Sequence, residues 1–138
     1  MRTSQLILVV DDSPFAARAL VHVLESRGMQ ARGASSLEEA MRICTEWHPS
    51  VLVTDVRMPN IDLYELCSRF RAAAGERRTA ILLFSANSED AMGDILALTA
   101  ADAFMEKLHG AAAVAARVEQ LCAEIASKQV EQALPSIP

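Results

Sequence analysis

The sequence predicts an α/β domain built on one parallel sheet wound on both faces, and three observations carry that reading. Short apolar runs alternate five times with longer stretches of helical period. Two of those runs, Leu6-Ile7-Leu8-Val9-Val10 and Ala80-Ile81-Leu82-Leu83-Phe84, are apolar at every position, which suits strands covered by helices on both sides. Four runs end in polar groups: Asp11 and Asp12 after the first, Asp55 after Val51 to Thr54, Ser85 after Phe84, and Lys107 after Ala103 to Glu106. The carboxyl ends of parallel strands share one edge, so these five side chains can converge there although they are far apart in sequence.

The elements follow in order. After the first strand, Ser13 is placed to cap a helix that begins at Pro14, a residue tolerated in a first turn, and stops at Gly28; its core face is expected to be Ala16, Leu20, Val23 and Leu24. Residues 29–34 form a weak second strand. Ser36-Leu37-Glu38-Glu39 reads as a capping box opening a second helix that ends at His48-Pro49. The third helix carries Leu63, Leu66, Cys67 and Phe70 at helical spacing, and the fourth, opened by Ser88-Glu89-Asp90, carries Met92, Ile95, Leu96 and Thr99. The last helix, roughly 110–127, repeats Ala111, Val114, Val118, Leu121, Cys122 and Ile125. These boundaries imply one domain over residues 1–126 and a flexible tail or linker stub over 127–138.

Composition narrows the function. With 138 residues, 51% hydrophobic and 22% charged, the chain has room for one core. A formal net charge of −5 argues against a nucleic-acid surface. The one basic cluster, Arg69, Arg71, Arg77 and Arg78, falls around a helix end, where cations complement the dipole, and is read as a solvated terminus. Cys44, Cys67 and Cys122 are widely spaced among apolar positions, as reduced core thiols would be. No apolar stretch reaches the roughly 18 residues of a membrane span, and no secretion signal precedes the first strand, so a cytoplasmic location without membrane partners is expected. His22, His48 and His109 stand apart, without thiol or acidic partners at ligand spacing, and read as surface residues.

Adjacent aspartates at a strand end repel each other unless a cation bridges them. A hard ion such as Mg²⁺, or Mn²⁺, suits Asp11, Asp12 and Asp55, because it takes a few carboxylates and keeps positions for water and phosphate oxygens. Four segments at these strand ends, Val9-Val10-Asp11-Asp12-Ser13, Val53-Thr54-Asp55-Val56-Arg57-Met58-Pro59, Leu82-Leu83-Phe84-Ser85-Ala86 and Ala101-Asp102-Ala103-Phe104-Met105-Glu106-Lys107, make the chain resemble the receiver domain of two-component response regulators, of the chemotaxis-regulator kind. The resemblance covers about residues 5–126. It implies a flavodoxin-like (βα)5 fold with strand order 2-1-3-4-5.

The resemblance also implies roles. Asp55 would be the phosphoacceptor, taking a phosphoryl group from the phosphohistidine of a histidine kinase or phosphotransfer protein. Asp12 and Asp55 would hold Mg²⁺ directly with the backbone carbonyl of Arg57, and Asp11 would act largely through water. Lys107 and Ser85 would contact phosphoryl oxygens, where negative charge gathers in the transition state. Ser85 and Phe104 would form the switch, and Arg57 and Asn87 would tune phosphate lifetime. Partners would be the kinase and a downstream effector or fused output domain, with the fourth helix, last strand and fifth helix as a homodimer or partner face. Such a chain is a signalling phosphoacceptor that phosphorylates itself from small donors and dephosphorylates itself, not an enzyme with a separate substrate.

Three departures from that family's pattern carry expectations. Leu108 stands where a proline usually follows the lysine through a cis peptide; a cis bond before leucine costs about 3–4 kcal/mol, so a trans bond and a rearranged loop are expected. Leu63 and Ala100 replace glycines, which removes easy access to positive φ and implies altered loops. Other functions fit less well. A haloacid dehalogenase-type phosphohydrolase needs a second aspartate where Arg57 stands, and a dinucleotide carrier needs a glycine-rich turn where Asp11-Asp12-Ser13 stands. The serious alternative is a pseudo-receiver that works as a phosphorylation-independent interaction module.

Overall fold

The computed structural model describes residues 5–86 and 92–133, with backbone alone for Met92 and 129–133. Strands β1 (Leu6–Val10), β2 (Gln30–Ala34), β3 (Val51–Asp55), β4 (Ala80–Ser85) and β5 (Ala103–Glu106) alternate with helices α1 (Pro14–Ser26), α2 (Leu37–Trp47), α3 (Leu63–Ala74), α4 (Met92–Thr99) and α5 (Gly110–Ala133). All strand pairs are parallel, and the sheet order is β2-β1-β3-β4-β5. The sheet thus has the predicted architecture.

Strand alternation sends side chains to two cores. Ile7, Val9, Val51, Val53, Leu82 and Phe84 pack with α1 and α5; Leu8, Val10, Leu52, Ile81 and Leu83 pack with Leu66, Cys67 and Phe70 of α3 and Ala40 and Cys44 of α2. Each such fully buried Leu or Ile contributes about 1.5–3 kcal/mol. Leu63, Leu66, Cys67 and Phe70 all face the sheet, as their spacing predicts.

The helix ends are chemically specified. Pro14 opens α1 behind the Ser13 cap, and Gly28, at φ 85°, closes it: its N–H donates to the Glu25 carbonyl and that of Met29 to the Leu24 carbonyl. Ser36 Oγ accepts from the Glu39 N–H at 3.1 Å, while Glu39 Oε1 reaches one residue beyond the expected box to accept the Ser35 N–H at 2.9 Å. Asp62 Oδ1 accepts the Glu65 N–H at the start of α3, and Leu63 enters that helix buried in the core.

Several expectations are corrected. Ala17, not Ala16, is the buried alanine of α1, because the core stripe runs through Ala17, Leu20 and Leu24, with Val21 and Val23 at its margins. On α5, Ala111 is exposed and Ala115 is buried. That helix runs on to Ala133, past the expected end near residue 127, because Lys128 to Ala133 contains no glycine or proline to stop it. Ala100 keeps a left-handed backbone at φ 53°, so the loss of glycine adds strain instead of reshaping the turn. The arginine cluster is not simply solvated. Arg71 donates to the Ala100 carbonyl at 2.6 Å and Arg77 to the His48 carbonyl at 2.9 Å, each tying neighbouring segments together. The start of α4 at Ser88-Glu89-Asp90 and the Met92 side chain lie outside what the structure describes.

Candidate functional site

Asp11 follows β1, Asp55 ends β3, Ser85 ends β4 and Lys107 follows β5, so one sheet edge collects them. β3 and β4 are in register with Asp55 opposite Phe84, and β4 and β5 with Ser85 opposite Glu106. Alternation then puts Asp55, Phe84 and Lys107 on the α1/α5 side of the sheet, and Ser85 and Phe104 on the other.

The centre is an ion cluster. Lys107 Nζ donates to Asp55 Oδ2 at 2.9 Å and stands 3.9 Å from Asp11 Oδ2. Asp55 Oδ1 accepts the backbone N–H of Arg57 at 3.3 Å. Thr54 braces the same turn, its hydroxyl donating to the Asp55 carbonyl at 3.0 Å. Asp11 is only 2% exposed; its Oδ1 accepts the Ser13 N–H at 2.9 Å, while Oδ2 is buried with no hydrogen-bond partner. Burial pushes the Asp11 carboxyl above the usual carboxylate range, the Ser13 N–H opposes that shift, the Asp55 and Asp12 charges reinforce it, and the Lys107 ammonium counters it.

An orphaned buried carboxylate oxygen beside a second buried carboxylate fits a hard divalent cation, Mg²⁺ or Mn²⁺. Among the described residues no three His, Cys, Asp or Glu side chains already form a ligand cage. Asp12 is half-exposed next to Asp11, so the site offers two buried carboxylates with a third at the rim.

The peptide between Lys107 and Leu108 is trans, as expected, and the segment winds into a short 3-10 turn, Lys107–His109, with Leu108 75% exposed. Lys107 reaches Asp55 from it all the same. Ser85 is buried at the end of β4. Phe104 is half-buried against the α2/α3/α4 core, in register with Leu83. Arg57 presents an exposed side chain beside the site, and Asn87 lies outside the described residues. His22, His48 and His109 are all exposed.

Two contacts were not foreseen. The Lys107 ammonium lies 5.1 Å from the centroid of the Phe84 ring, and Thr54 supports the turn at Asp55. Strand alternation could have found the first, since Phe84 pairs with Met105 and Lys107, two residues further on, falls on the same face.

A five-stranded parallel sheet in this order, with five helices, is the flavodoxin-like α/β receiver fold. The chain belongs to the response regulator receiver domain family of two-component signalling, whose model matches residues 7–119. Among curated proteins it is 33% identical over 128 residues to the alkaline phosphatase synthesis transcriptional regulatory protein PhoP of Bacillus subtilis, covering 91% of this chain and 52% of that one. It is 39% identical over 66 residues to the sensor histidine kinase RcsC of Escherichia coli, covering 48% of this chain and 7% of that protein. The chain thus spans only part of these relatives. In fold it is similar to a CheY-like receiver domain protein from Methanospirillum hungatei, with TM-score 0.77, 15% identity and coverage of 90% and 98% of the two chains. It is also similar to the BeF3-activated DrrB receiver domain, with TM-score 0.71, 23% identity and coverage of 88% and 97%. No helix among the described residues is long and apolar enough to cross a membrane.

Proposed function

We propose that the chain is a phosphoacceptor receiver: Asp55 takes a phosphoryl group from the phosphohistidine of a histidine kinase or phosphotransfer protein. The observation that carries this reading is the Lys107 ammonium 2.9 Å from Asp55 Oδ2, beside the orphaned oxygen of Asp11. A side-chain oxygen of Asp55 attacks phosphorus, an O–P bond forms, the P–N bond of the donor breaks, and the departing imidazole nitrogen keeps its electron pair and is protonated from solvent. Lys107 supplies fixed positive charge to a phosphoryl oxygen, and the Ser85 hydroxyl donates to another. Asp11, Asp12, Asp55 and the Arg57 carbonyl would hold Mg²⁺ or Mn²⁺, which when bound neutralises phosphoryl charge.

Phosphorylation adds negative charge at Asp55, draws Ser85 and its loop toward it, and lets Phe104 turn further inward, changing the α4-β5-α5 face toward an effector, a fused output domain or a second copy. Arg57, two residues after Asp55, and Asn87, two residues after Ser85 in the sequence, set the lifetime of the phosphate. The partners are proteins in the cytoplasm. Incubation with acetyl phosphate and Mg²⁺, read by intact mass, tests the reading: wild type gains one phosphoryl group and Asp55→Ala gains none. A wild type that stays unmodified, and does not bind beryllofluoride, is a pseudo-receiver instead.

A further inference from the structure

We infer that Phe84 is a positioning residue for this transfer, a fixed aromatic face that holds the Lys107 ammonium level with Asp55. The inference rests on the phosphoacceptor reading only for its catalytic consequence; the contact itself is a property of the fold.

Beyond the two carboxylates, the backbone around Lys107 does little to fix it. It leaves the edge strand β5 and enters a 3-10 turn with no side-chain cap, followed by Leu108 at 75% exposure where a proline would stiffen the chain. Its own side chain is 38% exposed. The carboxylates of Asp55 and Asp11 attract the ammonium, at 2.9 and 3.9 Å, but the Asp55 contact is the one that phosphorylation alters. The contact with the Phe84 ring, at 5.1 Å to its centroid, is not altered by that chemistry.

Phe84 is itself immobilised. It is 7% exposed, packed in the α1/α5 core, and held opposite Asp55 by the β3–β4 register. An ammonium within about 6 Å of a ring centroid is attracted by the negative π face, most strongly where water is partly excluded. Because Ser85 follows Phe84 and points to the opposite face of the sheet, one strand end holds Lys107 from one side and offers the hydroxyl from the other.

The test is a double-mutant cycle on the full chain with Phe84→Leu and Lys107→Met, and with Phe84→Met as a second ring deletion should the leucine variant fold poorly. Two quantities are read: the rate of phosphorylation by acetyl phosphate with Mg²⁺, and the urea midpoint in EDTA. With Lys107 present, ring deletion is expected to slow phosphorylation about three- to tenfold. In the Lys107→Met background it is expected to slow it no further, and its effect on the urea midpoint shrinks likewise. Equal effects in both backgrounds mean that Phe84 serves the core alone and overturn the inference. A wild type that accepts no phosphoryl group defeats the proposed function, and the metal-free cycle then decides the Phe84–Lys107 contact by itself.

Discussion

Lys107 Nζ stands 2.9 Å from Asp55 Oδ2 although the whole of β4 separates their strands. The ammonium therefore reaches across the end of β4 to neutralise a buried carboxylate.

Removing that cation leaves Asp55 buried with less compensation. Lys107→Ala is expected to destabilise the metal-free protein by about 1–2 kcal/mol, a partly exposed ion pair costing less to break than a fully buried one. It should also slow phosphorylation by about a hundredfold, since a charged donor to the transferring group is lost. Urea denaturation and intact-mass kinetics measure the two effects.

Burial opposes the charged form of Asp11, and its Oδ2 has no hydrogen-bond partner among the described residues, only the Lys107 ammonium at 3.9 Å. Its carboxyl titrates higher folded than unfolded, so the folded protein binds more protons there and its stability drops as pH rises through that interval. Asp11→Asn is expected to raise the metal-free melting temperature near neutral pH by the equivalent of about 1 kcal/mol. The same variant should lose most of the rise in melting temperature that millimolar Mg²⁺ gives wild type. Thermal scans with EDTA and with Mg²⁺ distinguish these outcomes.

Ala100 occupies a left-handed conformation at φ 53°. Ala100→Gly relieves about 1–2 kcal/mol of strain and loses part of that to the greater freedom of the unfolded chain, so a net gain of about 0.5–1 kcal/mol is expected. An unchanged or lower urea midpoint would contradict it.

Burial pushes the Cys67 thiol up to about 11 from an ordinary 9.0, against a smaller opposing pull from Arg71. Well below pH 9 the thiol is protonated in both states and has no effect on the slope. Between pH 9 and 11 the unfolded chain loses its proton first, so stability falls with rising pH, by about 2–3 kcal/mol over the window. The difference between wild type and Cys67→Ala, followed by urea denaturation across that range, should show this fall, and a thiol reagent at pH 8 should label Cys67 only on unfolding.

The parts of this molecule that local chemistry decides were readable in the chain. The apolar strands, the polar residues at their ends, the Ser36 cap and the stop at Gly28 are each specified within a few neighbours. The choice of Ala17 over Ala16 depends on how α1 rolls against β2, where a Cβ at Gly33 would lie 3.4 Å from the Ala17 and Val21 side chains, and no local signal sets that angle. Arg71 at the Ala100 carbonyl and Phe84 under Lys107 join segments far apart in sequence, and they emerge only once the sheet has set its register. The length of α5 was underestimated because loss of apolar period marks where a helix stops being covered, not where its hydrogen bonds stop.

The hydrogen bond from Arg71 to the Ala100 carbonyl gives α4 a fixed heel. Its far end adjoins the segment that follows Ser85, while this end is fastened to α3. If phosphorylation draws on Ser85 as proposed, that anchorage would favour a swing of the helix over sliding along its axis. The angle of the lever, more than its place, would then be what a docking protein senses.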